Sequence, residues 1–263
     1  MSIGTPLRRA APATLATVAG ATVALGLWRW LQLLASARVG EDLAARSVAF
    51  ERQGKEHAPS VLVVGDSTAV GTGAGRPEES IAGRISAAYP DVTIVNRARN
   101  GARTLDAITQ LADEAGTRYD VVLVHVGGND VLRRTPLRAL APQVHALMHR
   151  ARRLSHHVVV TTVPNIGLLP PFFPPFSWWL SRRARLVCCL YAQEAKEHGV
   201  HYVDFYHPRA TDPFSRDPSY YFADDRLHPS ADFYRIAFEA LMSSTPIAAV
   251  LSRPHLRPAG LPY

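Results

Sequence analysis

Five short β-branched runs constrain this chain more than any other feature: VLVV (61–64), VTIV (92–95), VVLVHV (121–126), VVVTTV (158–163) and VHYVDF (200–205). Near-continuous apolar runs, rather than alternating ones, suit strands buried on both faces. The segments between the first four, and after the last, carry apolar residues at helical spacing. SIAGRISAAY (80–89) and PLRALAPQVHALMHRARRL (136–154) are examples. Strand alternating with helix predicts an α/β fold, with right-handed connections and helices on both faces of a parallel sheet. Ligands of such sheets bind beyond the carboxyl ends of the strands, so chemistry is sought just after each run.

Small and polar residues fall there repeatedly. Gly65-Asp66-Ser67 follows the first run, Asn100-Gly101 the second and Gly127-Gly128-Asn129-Asp130 the third. FADDRLHPS, with Asp225 and His228, comes after the fifth across a loop. The glycine-rich stretch GDSTAVGTGAG (65–75) invites a phosphate-binding reading, which fails on detail. A P-loop needs Gly-Lys-Ser/Thr, and the only lysines are Lys55 and Lys196. A dinucleotide fingerprint needs G-x-G-x-x-G, but Gly71, Gly73 and Gly75 are spaced by two, and the second run ends at Asn96 without an acidic residue.

A nucleophile reading fits better. Ser67 sits at a strand-to-helix turn, where a helix N-terminus favours developing negative charge. The G-x-S-x-G elbow is absent, because residue 69 is alanine. A serine needs a base. His228 lies three residues after Asp225, so the carboxylate can fix the imidazole tautomer. The N–H groups of Ser67 and Gly101 and the amide of Asn129 are candidate oxyanion donors.

These four blocks, in this order across residues 61 to about 240, resemble the SGNH or GDSL-type hydrolases. The resemblance implies a flavodoxin-like three-layer α/β/α sandwich with strand order 2-1-3-4-5. It also implies hydrolysis of carboxylic esters, lipid or other acyl esters, through an acyl-serine, with no cofactor. Carried over by position, Ser67 is the nucleophile and His228 the base. Asp225 orients the base, and Ser67, Gly101 and Asn129 form the oxyanion hole. Thr68 departs from the family pattern, which has leucine there. An acyltransferase on the same site and a catalytically silent binding domain are the rival readings.

Other residues have plainer readings. Asp66 caps the helix that follows or braces the turn, and Asp130 is given a similar part. Asp225, not Asp224, is in register with His228. His125 reads as a core residue of its strand. His145, His149, His156 and His157 read as solvated, and no metal-ligand spacing is present. Gly71, Gly73 and Gly75 read as a flexible entrance loop. The segment GLLPPFFPPFSWWLSRRARL (167–186) is too proline-rich for helix before residue 176. It is too apolar to stand free. Phe172, Phe173, Phe176 and Trp178 are therefore candidate acyl-binding residues on a lid or wall.

The ends of the chain complete the organisation. Residues 1–57 read as an apolar segment plus linker, 58–246 as the hydrolase domain and 247–263 as a proline-rich tail. No residue from Ala10 to Trp28 is charged, and Trp28, Arg29 and Trp30 suit an interface. A signal anchor, a cleaved signal peptide ending near Ala37 and a surface-lying helix compete, with the anchor leading. Membrane association through residues 10–34 and a membrane-anchored or exported location are the corresponding expectations. Net charge is +7, but no nucleic-acid-binding motif accompanies it.

Overall fold

The computed structural model describes residues 10–253, except for the side chains of residues 10–16 and 18. Residues 1–9 of the expected amino-terminal segment and the end of the expected tail, residues 254–263, lie outside the described residues.

The five runs form β1 (Ser60–Gly65), β2 (Thr93–Asn96), β3 (Val121–His125), β4 (His157–Thr161) and β5 (His201–Val203). They make one sheet of order β2-β1-β3-β4-β5, and every neighbouring pair is parallel. Valine dominates because both faces are covered: Val61, Leu62, Val63 and Val64 are all buried, as are Val121 to Val124 around Leu123.

The helices, in chain order, are α1 (Ala10–Arg46), α2 (Ser67–Val70), α3 (Ile81–Ala88), α4 (Thr104–Asp113), α5 (Gly128–Leu132) and α6 (Leu137–Leu154). There follow α7 (Phe176–Glu197), α8 (Pro213–Arg216), α9 (Pro218–Tyr221), α10 (Ala231–Ser244) and α11 (Ile247–Leu251). α4, α6 and α7 pack side by side against β1, β4 and β5, while α3 and α10 pack together near β2. This is the expected three-layer α/β/α sandwich. Residue 246 is not the end of the packing: Ile247, Val250 and Leu251 of α11 are buried in the common core.

The register positions the site. Gly65 pairs with His125 across β1 and β3, so the turns after these strands emerge side by side at the point where the strand order reverses. Ser67 opens α2 on one turn, and Asn129 lies in the first turn of α5 on the other.

The amino-terminal region departs from expectation. A single helix, α1, runs through both the apolar segment and the start of the presumed linker. Its middle is exposed, including Val23, Leu25, Leu27, Trp28, Trp30 and Leu31. Among the described residues, no helix is long and apolar enough to cross a membrane, so the expected anchor gains no support. The last turns of α1 are not a free stalk. Ser36 and Gly40 are buried, and the Asn100 amide donates to the Ala44 carbonyl (2.9 Å). Small residues at 36, 40 and 44 fall on one helix face, which lets the helix lie close against the body. Beyond it, Arg52 exchanges two backbone hydrogen bonds with Ile94 of β2 (2.8 and 3.0 Å).

Candidate active site

The loop between α9 and α10 is folded around one carboxylate. Asp225 is fully buried, and its Oδ1 accepts the N–H groups of Leu227 (3.0 Å) and His228 (2.9 Å). Its Oδ2 lies 2.5 Å from Nδ1 of His228. Burial pushes this carboxyl upward. The His228 imidazole and those two N–H groups outweigh burial and hold it below the usual range. An ionised carboxylate only accepts, so Nδ1 of His228 carries the proton. Nε2 is left as an acceptor, and it lies 3.1 Å from Ser67 Oγ. Asp224 is exposed and turned away, beside Gly71 and Gly73.

The turn that holds Ser67 depends on a buried acid. Asp66 caps α2, its Oδ1 accepting the Thr68 N–H (3.0 Å). Burial raises its pKa from 3.8 to about 7, the Thr68 N–H and His228 opposing the shift and Asp130 adding to it. A raised folded pKa means that the fold binds a proton the unfolded chain has lost, so stability falls as pH rises from about 4 to about 7. Asp66→Asn keeps the acceptor for Thr68 and removes this slope. The variant's melting temperature is expected to exceed the wild type's at pH 8, and the gap is expected to shrink towards pH 4. Parallel melting-temperature curves for the two proteins would refute this account of Asp66.

On the neighbouring turn, Asn129 Nδ2 donates to the Ala102 carbonyl (3.0 Å), which aims its amide beside Gly101. Asp130 stitches this turn to α4. It accepts the Thr104 N–H (2.9 Å), the Thr104 hydroxyl (2.7 Å) and the Thr135 hydroxyl (2.7 Å). Ser67, Gly101, Asn129 and His228 all line one cavity of about 360 Å³, within the usual range for small-molecule sites.

The rest of the lining is mostly apolar and only partly as expected. Phe172 lines the cavity. Phe173, Phe176 and Trp178 do not; they are exposed. Phe173 precedes helix α7, which begins at Phe176 and turns the rings of Phe176 and Trp178 outward, where Phe176 stacks on Trp179 and meets Phe172 edge-on. Gly71, Gly73 and Gly75 do not line the cavity either. Gly73 has φ +92°, and a Cβ there would lie 2.3 Å from the Pro229 carbonyl. That glycine lets the turn after Ser67 press against the loop carrying His228. Sequence reasoning missed Phe214 and Phe222, and it missed a wall from α1 made of Leu33, Ala37, Gly40, Glu41 and Ala44. The small-residue stripe at 36, 40 and 44 was the available signal.

Two histidine readings can be placed as well. His125 is buried in β3 beside the Thr161 hydroxyl, and burial holds its pKa down at about 4, so it is neutral. His145 of α6 meets Glu194 of α7 and His198, which caps α7, with its Nδ1 3.1 Å from Glu194 Oε2. Glu194 and His198 are spaced by four, but His145 comes from a separate helix, so spacing in sequence shows only part of this group.

A family model for GDSL-like lipases and acylhydrolases matches residues 63–236. The chain belongs to this family. The match spans β1 to α10 and contains Ser67, Asn129, Asp225 and His228, whereas α1 lies outside it. Among curated proteins, the GDSL-like esterase Rv1075c of Mycobacterium tuberculosis is 27% identical over 191 residues, 69% of this chain. The aligned part spans 60% of that relative's length. A lipolytic GDSL-family protein of Veillonella parvula superposes with a TM-score of 0.58 at 19% identity, over 71% of this chain and 97% of its own. An acetylxylan esterase of Geobacillus stearothermophilus, in a catalytic-mutant structure, gives 0.53 at 19% identity over 74% and 96%. At such identities these two likenesses speak for the GDSL fold alone.

Proposed function

We propose that the protein hydrolyses carboxylic esters of aliphatic acids through an acyl-serine. The observation that carries this reading is the unbroken chain from Asp225 through His228 to Ser67, 2.5 Å and 3.1 Å long, opening into an apolar cavity. Ser67 Oγ attacks the ester carbonyl and its proton passes to Nε2 of His228. The carbonyl oxygen takes the negative charge, facing the Ser67 and Gly101 N–H groups and the Asn129 amide. As the intermediate collapses, His228 returns the proton to the departing alcohol. Water then attacks the acyl-serine, His228 taking its proton; as the second intermediate collapses, His228 returns that proton to Ser67 Oγ and the acid is released. Family membership and the esterase relative support the same reading.

The test is a panel of p-nitrophenyl esters assayed with wild type and Asn129→Ala. Wild type is expected to release p-nitrophenol from at least one ester. Asn129→Ala is expected to lower kcat by about 10²- to 10³-fold, the usual loss of one oxyanion donor, with little change in KM. A KM effect at constant kcat would move Asn129 from the transition state to ground-state binding. Transfer of the acyl group to an added alcohol in preference to water would point to the acyltransferase reading.

A further inference from the structure

We infer that the carboxy-terminal half of α1 is the specificity wall of this site, closing the acyl side of the cavity and setting the length of acyl chain it accepts. The inference rests on the ester-hydrolase reading and assigns the acyl side of that same cavity.

Three observations carry it. First, α1 is held at the site at two points. A Cβ on Gly40 would lie 3.0 Å from Asp225 Oδ2, so the helix backbone is packed directly on the buried acid. One turn later, the Ala44 carbonyl accepts from Asn100 (2.9 Å), the neighbour of Gly101. The helix therefore spans from the acid that orients the base to the turn that carries an oxyanion donor. Second, the side it offers changes character along its length. Glu41 lines the cavity close in sequence to Ala44, the residue bonded to Asn100, whereas Ala37 and Leu33 line it further towards the amino terminus. The same cavity is lined by Ile166, Leu169 and Phe172, from the segment after β4. An aliphatic tail fits between these two apolar surfaces. Leu33 lies seven residues before Gly40, about 10 Å along the helix axis, the depth of a tail of medium length. Third, the family match begins at residue 63. The wall thus lies outside the matched segment, in the amino-terminal part of the chain.

Ala37 is the residue on which length selection turns. It is small and lines the cavity, so a larger side chain there takes up room that a tail would occupy. Each methylene kept out of the cavity forfeits a comparable share of binding.

The experiment compares kcat/KM of full-length wild type, Ala37→Trp and Leu33→Ala on p-nitrophenyl acetate, octanoate and dodecanoate. Ala37→Trp is expected to lower the octanoate-to-acetate ratio by about 10- to 100-fold, chiefly through KM. Leu33→Ala lengthens the groove and is expected to raise the dodecanoate-to-octanoate ratio several-fold. Should Ala37→Trp fail to fold, Leu33→Ala still decides. Ratios unchanged in folded variants, with wild type active, overturn the assignment of α1 alone. Wild type that cleaves none of the three esters and takes no fluorophosphonate label overturns the hydrolase reading itself.

Discussion

Ser67→Ala is expected to lower kcat on the best ester by a factor on the order of 10⁴ or more, and to abolish covalent labelling by a fluorophosphonate. The size follows from the position of the hydroxyl. Ser67 opens α2 at the end of a buried strand, 3.1 Å from the one imidazole that lines the cavity among the described residues. No other serine, threonine or cysteine shares His228 as a partner among the described residues. Thr68 is adjacent, but its N–H is spent on Asp66 and its side chain has no such bond to the imidazole. Removal of Oγ deletes one hydrogen bond at a partly exposed position, worth about 1 kcal/mol, so the variant should stay folded. Intact-protein mass spectrometry reads the adduct, and a thermal melt checks the fold. A folded Ser67→Ala protein that still takes the label would place the nucleophile elsewhere.

Much of this arrangement was legible in the sequence because it depends on local patterns. Runs of valine announce doubly covered strands, and the first residues after each run fall at one sheet edge by construction. The choice of Asp225 over Asp224 was legible for a similar reason. A carboxylate three residues before the histidine can close a turn on the backbone N–H groups of Leu227 and His228, and one residue earlier it cannot. What sequence concealed depends on the approach of distant segments. Residues 10–34 are dominated by their hydropathy and residues 38–57 by their charge. That division hid one helix whose small face, not its apolar face, meets the body. The aromatic segment at 172–178 was readable as apolar, but which ring enters the cavity depends on where α7 begins and how it is rotated. The three glycines after Ser67 looked like an entrance. Gly73 instead serves close packing against Pro229, a partner more than 150 positions away, which no spacing rule reveals.

Asp225→Asn should be almost as damaging as loss of the nucleophile, lowering kcat by about 10⁴-fold near neutral pH with substrate binding little changed. The substitution is nearly isosteric, and the amide oxygen can still accept from the Leu227 and His228 N–H groups that shape the loop. What changes is the group facing Nδ1. An amide NH₂ at 2.5 Å from a ring N–H cannot be tolerated, so the imidazole gives up its Nδ1 proton and holds it on Nε2 instead. Nε2 then donates towards Ser67 and cannot accept its proton, and the imidazolium loses its counter-charge. The same logic predicts a small effect for Asp224→Asn, whose carboxylate is exposed and belongs to a different surface hollow. Steady-state kinetics of the two variants side by side decide the matter. If both lose activity equally, the loop matters only as a structure. If Asp225→Asn stays within tenfold of wild type, orientation of His228 falls to another group and the relay drawn here is wrong.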